Sequence, residues 1–598
     1  MDAHADDLPL GLDENGADDD FSLTCPACGA DLVHDELFLR YRVCEDCGRH
    51  FSLPARERVG VLVDEGSFRP IREMPTLDEF DNDQISALDR IADLRERPVL
   101  DEAIVTGTGK IGGTRAVVIA LDDQYVSAQI GALGAEKVII ALEHAHTRRL
   151  PVVMIVAGGG AGVQAGPLAA VQGARISSVA SQLRRDGLPM IAVLTHPTSA
   201  SIFNTIASQA DIIYAEHGTH VGVSWSAGPS IDDVGKAMAE TELLKHGWID
   251  GIVARQDLHG SLARVLGLIS KRQDVDGAAS PSPDAFSSHG LALLSMVSSF
   301  VEIRGDRVET DDRHLVCGFG RLDDHVVAIA VQDPSTELSG DSRPVMRKLQ
   351  RLAQLAGRFE MPLIMVGDGP ARERPARVTP GESLAAAKLG STLATLPVSV
   401  ISVGAGTVQG LASAVMMSGD RRVMLEGATY HLPVNTLHRG GRVPTQAAGH
   451  YWTARECERL GLVDGIIEEP PAGLSDDPLV TARMLKGELV YLLTELSRVG
   501  PRRLVEIRQR RHRMLGQETE AGLAALRGEL RDWQEMQQSV AKSIEEWRER
   551  VGQRMQSQPR LSFQRPDLGE IAARLKARQE ELRHELLERT GRSDRSGK

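Results

Sequence analysis

The sequence predicts an α/β protein made of two tandem copies of one domain. Short apolar runs rich in Val and Ile, stopped by glycine, alternate with stretches of helical periodicity, which points to stacked βα units. The landmarks of the first copy also recur in order roughly two hundred residues later. Arg148–Val156 (RRLPVVMIV) is echoed by Arg358–Val366 (RFEMPLIMV), with Pro151 and Pro362 211 residues apart. GTGKIGGTRAVVIALDD from Gly107 is echoed by GFGRLDDHVVAIAVQD from Gly318, again at 211. Pro189 answers Pro397 at 208, and HGWIDGIV from His246 answers LGLVDGII from Leu460 at 214. Four collinear matches at nearly one offset indicate a duplicated domain, and the period is too long for a solenoid.

The totals fit such a protein. The chain has 598 residues, a formal charge of −15 and 4% aromatic residues. It has no basic excess to neutralise phosphates, so no specific nucleic-acid partner is expected. No apolar run approaches the ~20 residues of a membrane span and no cationic-then-apolar leader opens the chain, so a cytoplasmic protein with no membrane partner is expected.

Residues 1–20 carry eight acids and no Lys or Arg, which predicts a disordered acidic tail. Residues 21–52 contain Cys25, Cys28, Cys44 and Cys47 in the pattern C-x2-C-x15-C-x2-C. That spacing predicts a four-thiolate zinc ribbon whose closed site makes the metal structural. Glycine follows each pair and suits a tight knuckle, and the intervening LVHDELFLRYRV suits a short hairpin. Cys317 and Cys457 stand alone as packing residues.

The first copy is assigned to residues 53–271, after a helical lead-in. Its strands are Ala116–Leu121, Val152–Ala157, Met190–Thr195 and Asp211–Ala215; Ala132–His146 and Leu168–Arg185 read as helices. The run VVMIVA ends in Gly158, Gly159 and Gly160. Glycines at such a turn let backbone N–H groups approach a ligand, and two amides aimed at one point can hold a thioester or enolate oxygen. The alternative is a plain strand-to-helix turn. Residues 272–288, rich in Pro, Ser, Gly and Asp, read as a linker, and the second copy as 289–497.

Residues 498–598 predict a helical, coiled-coil hairpin. Leu523, Leu526, Leu530, Trp533, Val540, Ile544, Trp547 and Val551 alternate steps of three and four, with Gln537 filling one slot. Pro559 and Pro566 end that run, and Leu568, Ile571, Leu575, Leu582 and Leu586 suggest a second helix. The tail is expected to pair with itself, a partner chain or the core. Arg502, Arg503, Arg508, Arg510, Arg511 and Arg513 read either as a solvated helix face or as an anion site.

Several of these stretches resemble a known family. The ribbon, then ARERVGVLVDEGSFRPI, the glycine-rich turn and LPMIAVLTHPT resemble the β subunit of the bacterial acetyl-CoA carboxylase carboxyltransferase. LLSMVSSFVEIRGDR before GFGRLDDHVVAIAVQD resembles the α subunit, in the β-then-α order of fused forms. The resemblance implies a crotonase-like ββα superhelix for each copy. It also implies transfer of a carboxyl group from carboxybiotin to acetyl-CoA, giving malonyl-CoA. On the family pattern Gly159 and Gly160 supply the amides for the acyl-CoA oxygen, with Gly158, Ala161, Gln164, Thr198 and Ser199 lining the substrate. Gly404, Ala405, Gly406 and Thr407 form the biotin-side turn. Biotin can take the α-proton itself, so no protein base is required; His144, His146, His196 and His220 read as packing or surface residues.

With no Met-Lys-Met site and no P-loop, the biotin carboxyl carrier protein and biotin carboxylase are expected as separate partners. The resemblance further implies a homodimer with sites between unlike halves. Departures fall on the loops: Gly162 stands where the family has arginine in S-G-G-A-R, and His196–Ser201 lacks both glycines of D-P-T-M-G-G. They leave two other readings open, a non-catalytic scaffold or regulatory subunit and a crotonase-fold malonyl-thioester decarboxylase.

Overall fold

The computed structural model describes residues 23–71, 103–122, 132–158, 167–222, 238–271, 288–336, 341–369, 379–410, 415–431, 451–469, 478–515, 517 and 519–557, with scattered positions between 569 and 581. Residues up to 522 form one compact unit and Leu523–Lys598 a second. The acidic tail and nearly all of the linker lie outside the described residues.

The first copy is a mixed sheet. β1 (Arg69–Pro70), β2 (Ile104–Ile111) and β3 (Thr114–Leu121) pair antiparallel; β4 (Val152–Gly158), β5 (Met190–Ser199), β6 (Ile212–Glu216) and then β9 (Gly251–Val253) continue it in parallel. Short β7 (His220–Gly222) and β8 (Met238–Ala239) hang from the end of β5. The second copy repeats the layout with β10 (Ser298–Glu302), β11 (Leu315–Leu322), β12 (His325–Gln332), β13 (Leu363–Gly367), β14 (Val400–Gly404), β16 (Arg421–Leu425) and β19 (Gly465–Ile467). Beside it β15 (Thr407–Gln409), β17 (Thr429–His431) and β18 (Tyr451–Thr453) form a small sheet.

The duplication extends to the register. Val117 faces Val152 in the first copy, and Ala328 faces Leu363 in the second, both partners displaced by 211. Glycines recur for one reason in both: a β-carbon on Gly107 would collide with the Phe68 ring, and one on Gly318 with the Phe300 ring. Those glycines let an aromatic lie flat across the antiparallel ribbon.

Alternation sends Val117 and Ile119 to one face of β3 and Val118 and Ala120 to the other. The first face packs on the helices Ala132–Arg148 and Pro167–Arg185. The opposite face packs on Ala55–Leu62 and Leu258–Ile269, in a core that continues into the second copy through Phe319, Leu352 and Leu363. The halves are therefore fused by one apolar layer. Buried ion pairs reinforce it: Asp250 of the first half accepts from Arg307 and Arg351 of the second, and Asp211 from Arg358.

One expectation is corrected, and for one helix of the tail an open alternative is settled in favour of the core. The segment between the cysteine pairs is a helix, Glu36–Tyr41, and not a hairpin, because Asp35 caps it by accepting the Phe38 N–H at 2.8 Å. The helix Pro501–Met514, expected in the tail, packs on the second half. Arg508 is fully buried there; its guanidinium donates to both carboxylate oxygens of Asp420 (2.8 and 2.6 Å) and to the carbonyls of Leu393, Leu396 and Val398. Arg511 pairs with Asp464. These two arginines are anchors rather than anion ligands. Asp420 and Asp464 occupy in the second half the strand positions of Asp211 and Asp250 in the first, each accepting the N–H of the neighbouring strand. The tail helix thus seals the second half as the second half seals the first.

The helix Glu520–Ser557 makes up most of the described part of the second unit. The hairpin partner expected beyond Pro559 lies almost entirely outside the described residues.

Candidate active site

Parallel strands place Gly158, at the end of β4, and Gly404, at the end of β14, at the carboxyl-end edges of their sheets. In the first half β4 ends at Gly158, whose φ is +129° and whose partner across a register shift is Thr198. Gly159, Gly160, Ala161 and Gln164 lie outside the described residues. Thr198 and Ser199, expected against substrate, have their hydroxyls engaged by the protein. Thr198 Oγ1 donates to the carbonyls of Thr195 (2.7 Å) and Val156 (3.2 Å), and Ser199 Oγ accepts the Ile202 N–H and caps a helix. These bonds tie the end of β5 to β4 and to the helix that follows.

In the second half the turn Gly404–Thr407 is knitted to its neighbours. The Ala405 N–H donates to the Gly367 carbonyl (2.9 Å), Gly369 N–H to the Thr407 carbonyl (2.9 Å), and Thr429 N–H to the Gly406 carbonyl (3.0 Å). The Ala405 amide, expected to face a ligand, is therefore occupied. Asp368, directly after β13, lies against Gly406 so closely that a β-carbon there would strike its carboxylate. Asp368 is only 6% exposed. Burial pushes its pKa up to about 6; nearby Asp333 adds to the rise, while His289 and a hydrogen bond from Ser288 oppose it. His289 in turn stands 3.0 Å from Glu469, whose carboxyl is held below its usual range chiefly by that bond. Sequence reasoning assigned Asp368 no role. Its signal was a lone acid directly after an apolar strand, at the position that answers Ala157 in the first half.

Cys25, Cys28, Cys44 and Cys47 converge, with all four sulfurs within 4.8 Å of one another. The two knuckles match: Gly29 and Gly48 take φ of +78° and +70°, and their N–H groups donate back to the Cys25 and Cys44 carbonyls. The separations Cys25–Cys47 (3.7 Å) and Cys28–Cys44 (3.6 Å) suit a tetrahedral ion with bonds near ~2.3 Å, whose edges measure about 3.8 Å. The ribbon is clamped to the first half through Arg255. Its guanidinium donates to the Tyr41 and Phe51 carbonyls and to Glu216, which also accepts from Arg58 (2.8 Å). Burial disfavours the Glu216 carboxylate, but the two arginines outweigh it and hold its pKa far below the usual range.

A wide concavity lies elsewhere among the described residues. An open groove of about 830 Å³ runs between the halves past Arg184, Asp211, Trp248, Arg307 and Arg347. Arg307, Arg351 and Arg358 are committed to the ion pairs that join the halves, Arg347 to Asp306 within the second half, and Arg184 to the Gln209 carbonyl. It is a seam, remote from the strand-end turns.

Two tandem mixed sheets of one strand order, preceded by a four-cysteine ribbon, define the carboxyltransferase class. Residues 48–230 match the carboxyl transferase domain, and residues 291–516 match the acetyl co-enzyme A carboxylase carboxyltransferase-like family. Transcarboxylase 12S superposes with a TM-score of 0.54 at 17% identity, covering 74% of this chain and 90% of that one. The fused acetyl-coenzyme A carboxylase carboxyl transferase subunits beta/alpha of Frankia alni are 31% identical, over 84% of this chain and 90% of theirs. Those of Salinispora tropica are 29% identical, over 84% and 97%. The chain belongs to the family of fused β/α carboxyltransferase subunits of acetyl-CoA carboxylase.

Proposed function

We propose that this chain transfers the carboxyl group carried by biotin, on a separate carrier protein, to acetyl-CoA, forming malonyl-CoA for fatty acid or polyketide synthesis. One observation carries the reading: two halves of one strand order and register each end a parallel strand in glycine at the carboxyl-end edge of the sheet, Gly158 after β4 and Gly404 after β14, as a two-substrate reaction requires. The first-half turn after β4 holds the thioester oxygen with backbone amides and so favours the enolate. The second-half turn at Gly406 receives the biotin ureido group. Carboxybiotin supplies the carboxyl group, and a biotin carboxylase reloads the carrier.

The four cysteines hold one Zn²⁺, which locks the ribbon without entering the chemistry. The working form is a homodimer that sets the first half of one copy against the second half of the other.

A second reading rests on the engaged Ala405 amide and the neighbouring Asp368 carboxylate: a second half that binds partners and no longer binds biotin. One assay separates the two. Purified chain, carboxylated biotin carrier and acetyl-CoA should yield malonyl-CoA in proportion to carrier consumed. Tight carrier binding with no malonyl-CoA would favour the second.

A further inference from the structure

The helix Glu520–Ser557 presents an uncovered apolar seam. Leu530 is 60% exposed, Trp533 57% and Trp547 61%, and Leu526, Val540 and Ile544 are also exposed. In heptad terms Leu523, Leu530, Gln537, Ile544 and Val551 take the a positions; Leu526, Trp533, Val540 and Trp547 take d. Strict a/d spacing over four heptads makes a narrow stripe, the geometry of a helix-on-helix seam rather than of the broad face that docks on a globular core.

We infer that this seam pairs with the same seam of a second copy of the chain, as a parallel, in-register coiled coil. Two observations choose that occupant. The first is length. The seam from Leu523 to Val551 spans 28 residues, about 42 Å of helix at 1.5 Å per residue, while the later apolar positions from Leu568 to Leu586 span only 18 residues of sequence. In that stripe the slot between Leu575 and Leu582 falls to Arg578, which is exposed and paired with Glu581. The apolar positions of the chain's own later sequence are therefore too few to match the seam, whereas an identical helix matches it end to end.

The second is Gln537, the middle of the five a positions. In a parallel, in-register pair it meets its own copy, and the two amides hydrogen-bond to each other. In an antiparallel pair it would face a d residue, Trp533 or Val540, and leave its amide unsatisfied in an apolar layer. A single polar a residue at the centre also penalises slippage by a heptad, which would set Gln537 against Leu530 or Ile544. The parallel arrangement further brings Met536, itself exposed, beside Ala541 across the interface, so the centre is apolar on its flank as well. The tail then ties two copies together independently of any contact between their folded halves.

The test uses the full-length chain with single cysteines added under mild oxidation, scored on non-reducing gels against the parent chain. Val540→Cys, in a d layer, should form a disulfide-linked dimer at least tenfold faster than Lys542→Cys, which lies on the outer face. Adding Ile544→Glu to Val540→Cys should return the rate to that of Lys542→Cys. Equal rates at 540 and 542, or no cross-linked dimer at 540, would overturn the pairing. Cross-linking confined to mixtures of Gln537→Cys and Val540→Cys chains would overturn the parallel orientation.

Discussion

Replacing Arg508 with alanine should release the helix Pro501–Met514 from the second half. The guanidinium is fully buried, with five donated bonds, two to Asp420 and one each to the carbonyls of Leu393, Leu396 and Val398. Counting about 1.5–3 kcal/mol for every one of them would overshoot, because the carbonyls can rehydrate once the helix lifts. The controlling term is Asp420, itself only 2% exposed, left as an unpaired buried charge. Removing one partner of such a pair costs about 3–5 kcal/mol.

Hydrogen–deuterium exchange of peptides spanning 501–514 reads that cost locally. Protection should fall by roughly two to nearly four orders of magnitude, at 1.36 kcal/mol per tenfold. Arg511→Ala, which removes a partly exposed pair with Asp464, should change protection by no more than roughly tenfold. Coupling Arg508→Met with Asp420→Asn should restore much of the loss, since neither charge is then stranded. Protection within threefold of the parent chain for Arg508→Ala would refute the anchoring role.

Three further outcomes follow from the buried charges and the ribbon. Asp368 has a folded pKa of about 6 against 3.8 unfolded, so the native state binds the extra proton. Its contribution is complete below pH 3.8 and is lost as pH rises through 6, about 3 kcal/mol at most. The melting temperature of Asp368→Asn relative to the parent should therefore climb between pH 4 and 7 and level off above; a flat difference would contradict this. Glu216 is shifted the other way, so its stabilisation is present above the ordinary carboxylate range and fades as pH falls below it. Glu216→Gln strands Arg58 and Arg255 and should make residues 42–52 cleavable by protease at neutral pH, where the parent resists. Metal analysis should find one zinc per chain, and Cys25→Ser should lose it along with the thermal stability of the ribbon; a metal-free parent of unchanged stability would rule the site out.

The strands of the first half were legible because Val- and Ile-rich runs such as Val152–Ala157 are buried on both faces and end at glycine or a polar turn. β2 and β11 were harder to see, since Gly107, Gly109, Gly318 and Gly320 weaken a strand pattern; those glycines serve the packing of Phe68, Val63, Phe300 and Val297, remote in sequence or across a turn. Asp35 misled in the ribbon: LVHDELFLRYRV suits a short hairpin between the cysteine pairs, yet one capping carboxylate sets a helix. Arg508 looked like one charge in a solvated run, because its partner Asp420 is 88 residues away. The duplicated aspartates were visible as repeat landmarks, but their arginines come from a different element in each half, so no local pattern could pair them. The cysteine cluster was fully legible, as ligand spacing is local. The substrate turns were legible as glycine positions; which amides are already engaged, as at Ala405, depends on neighbouring strands.

The most direct test of a two-turn carboxyltransferase is the reverse reaction with malonyl-CoA labelled in its free carboxyl group. With purified chain and uncarboxylated biotin carrier, label should appear on the carrier in step with acetyl-CoA formed, and neither should appear without carrier. Release of labelled CO2 and acetyl-CoA at the same rate in the absence of biotin would contradict the account.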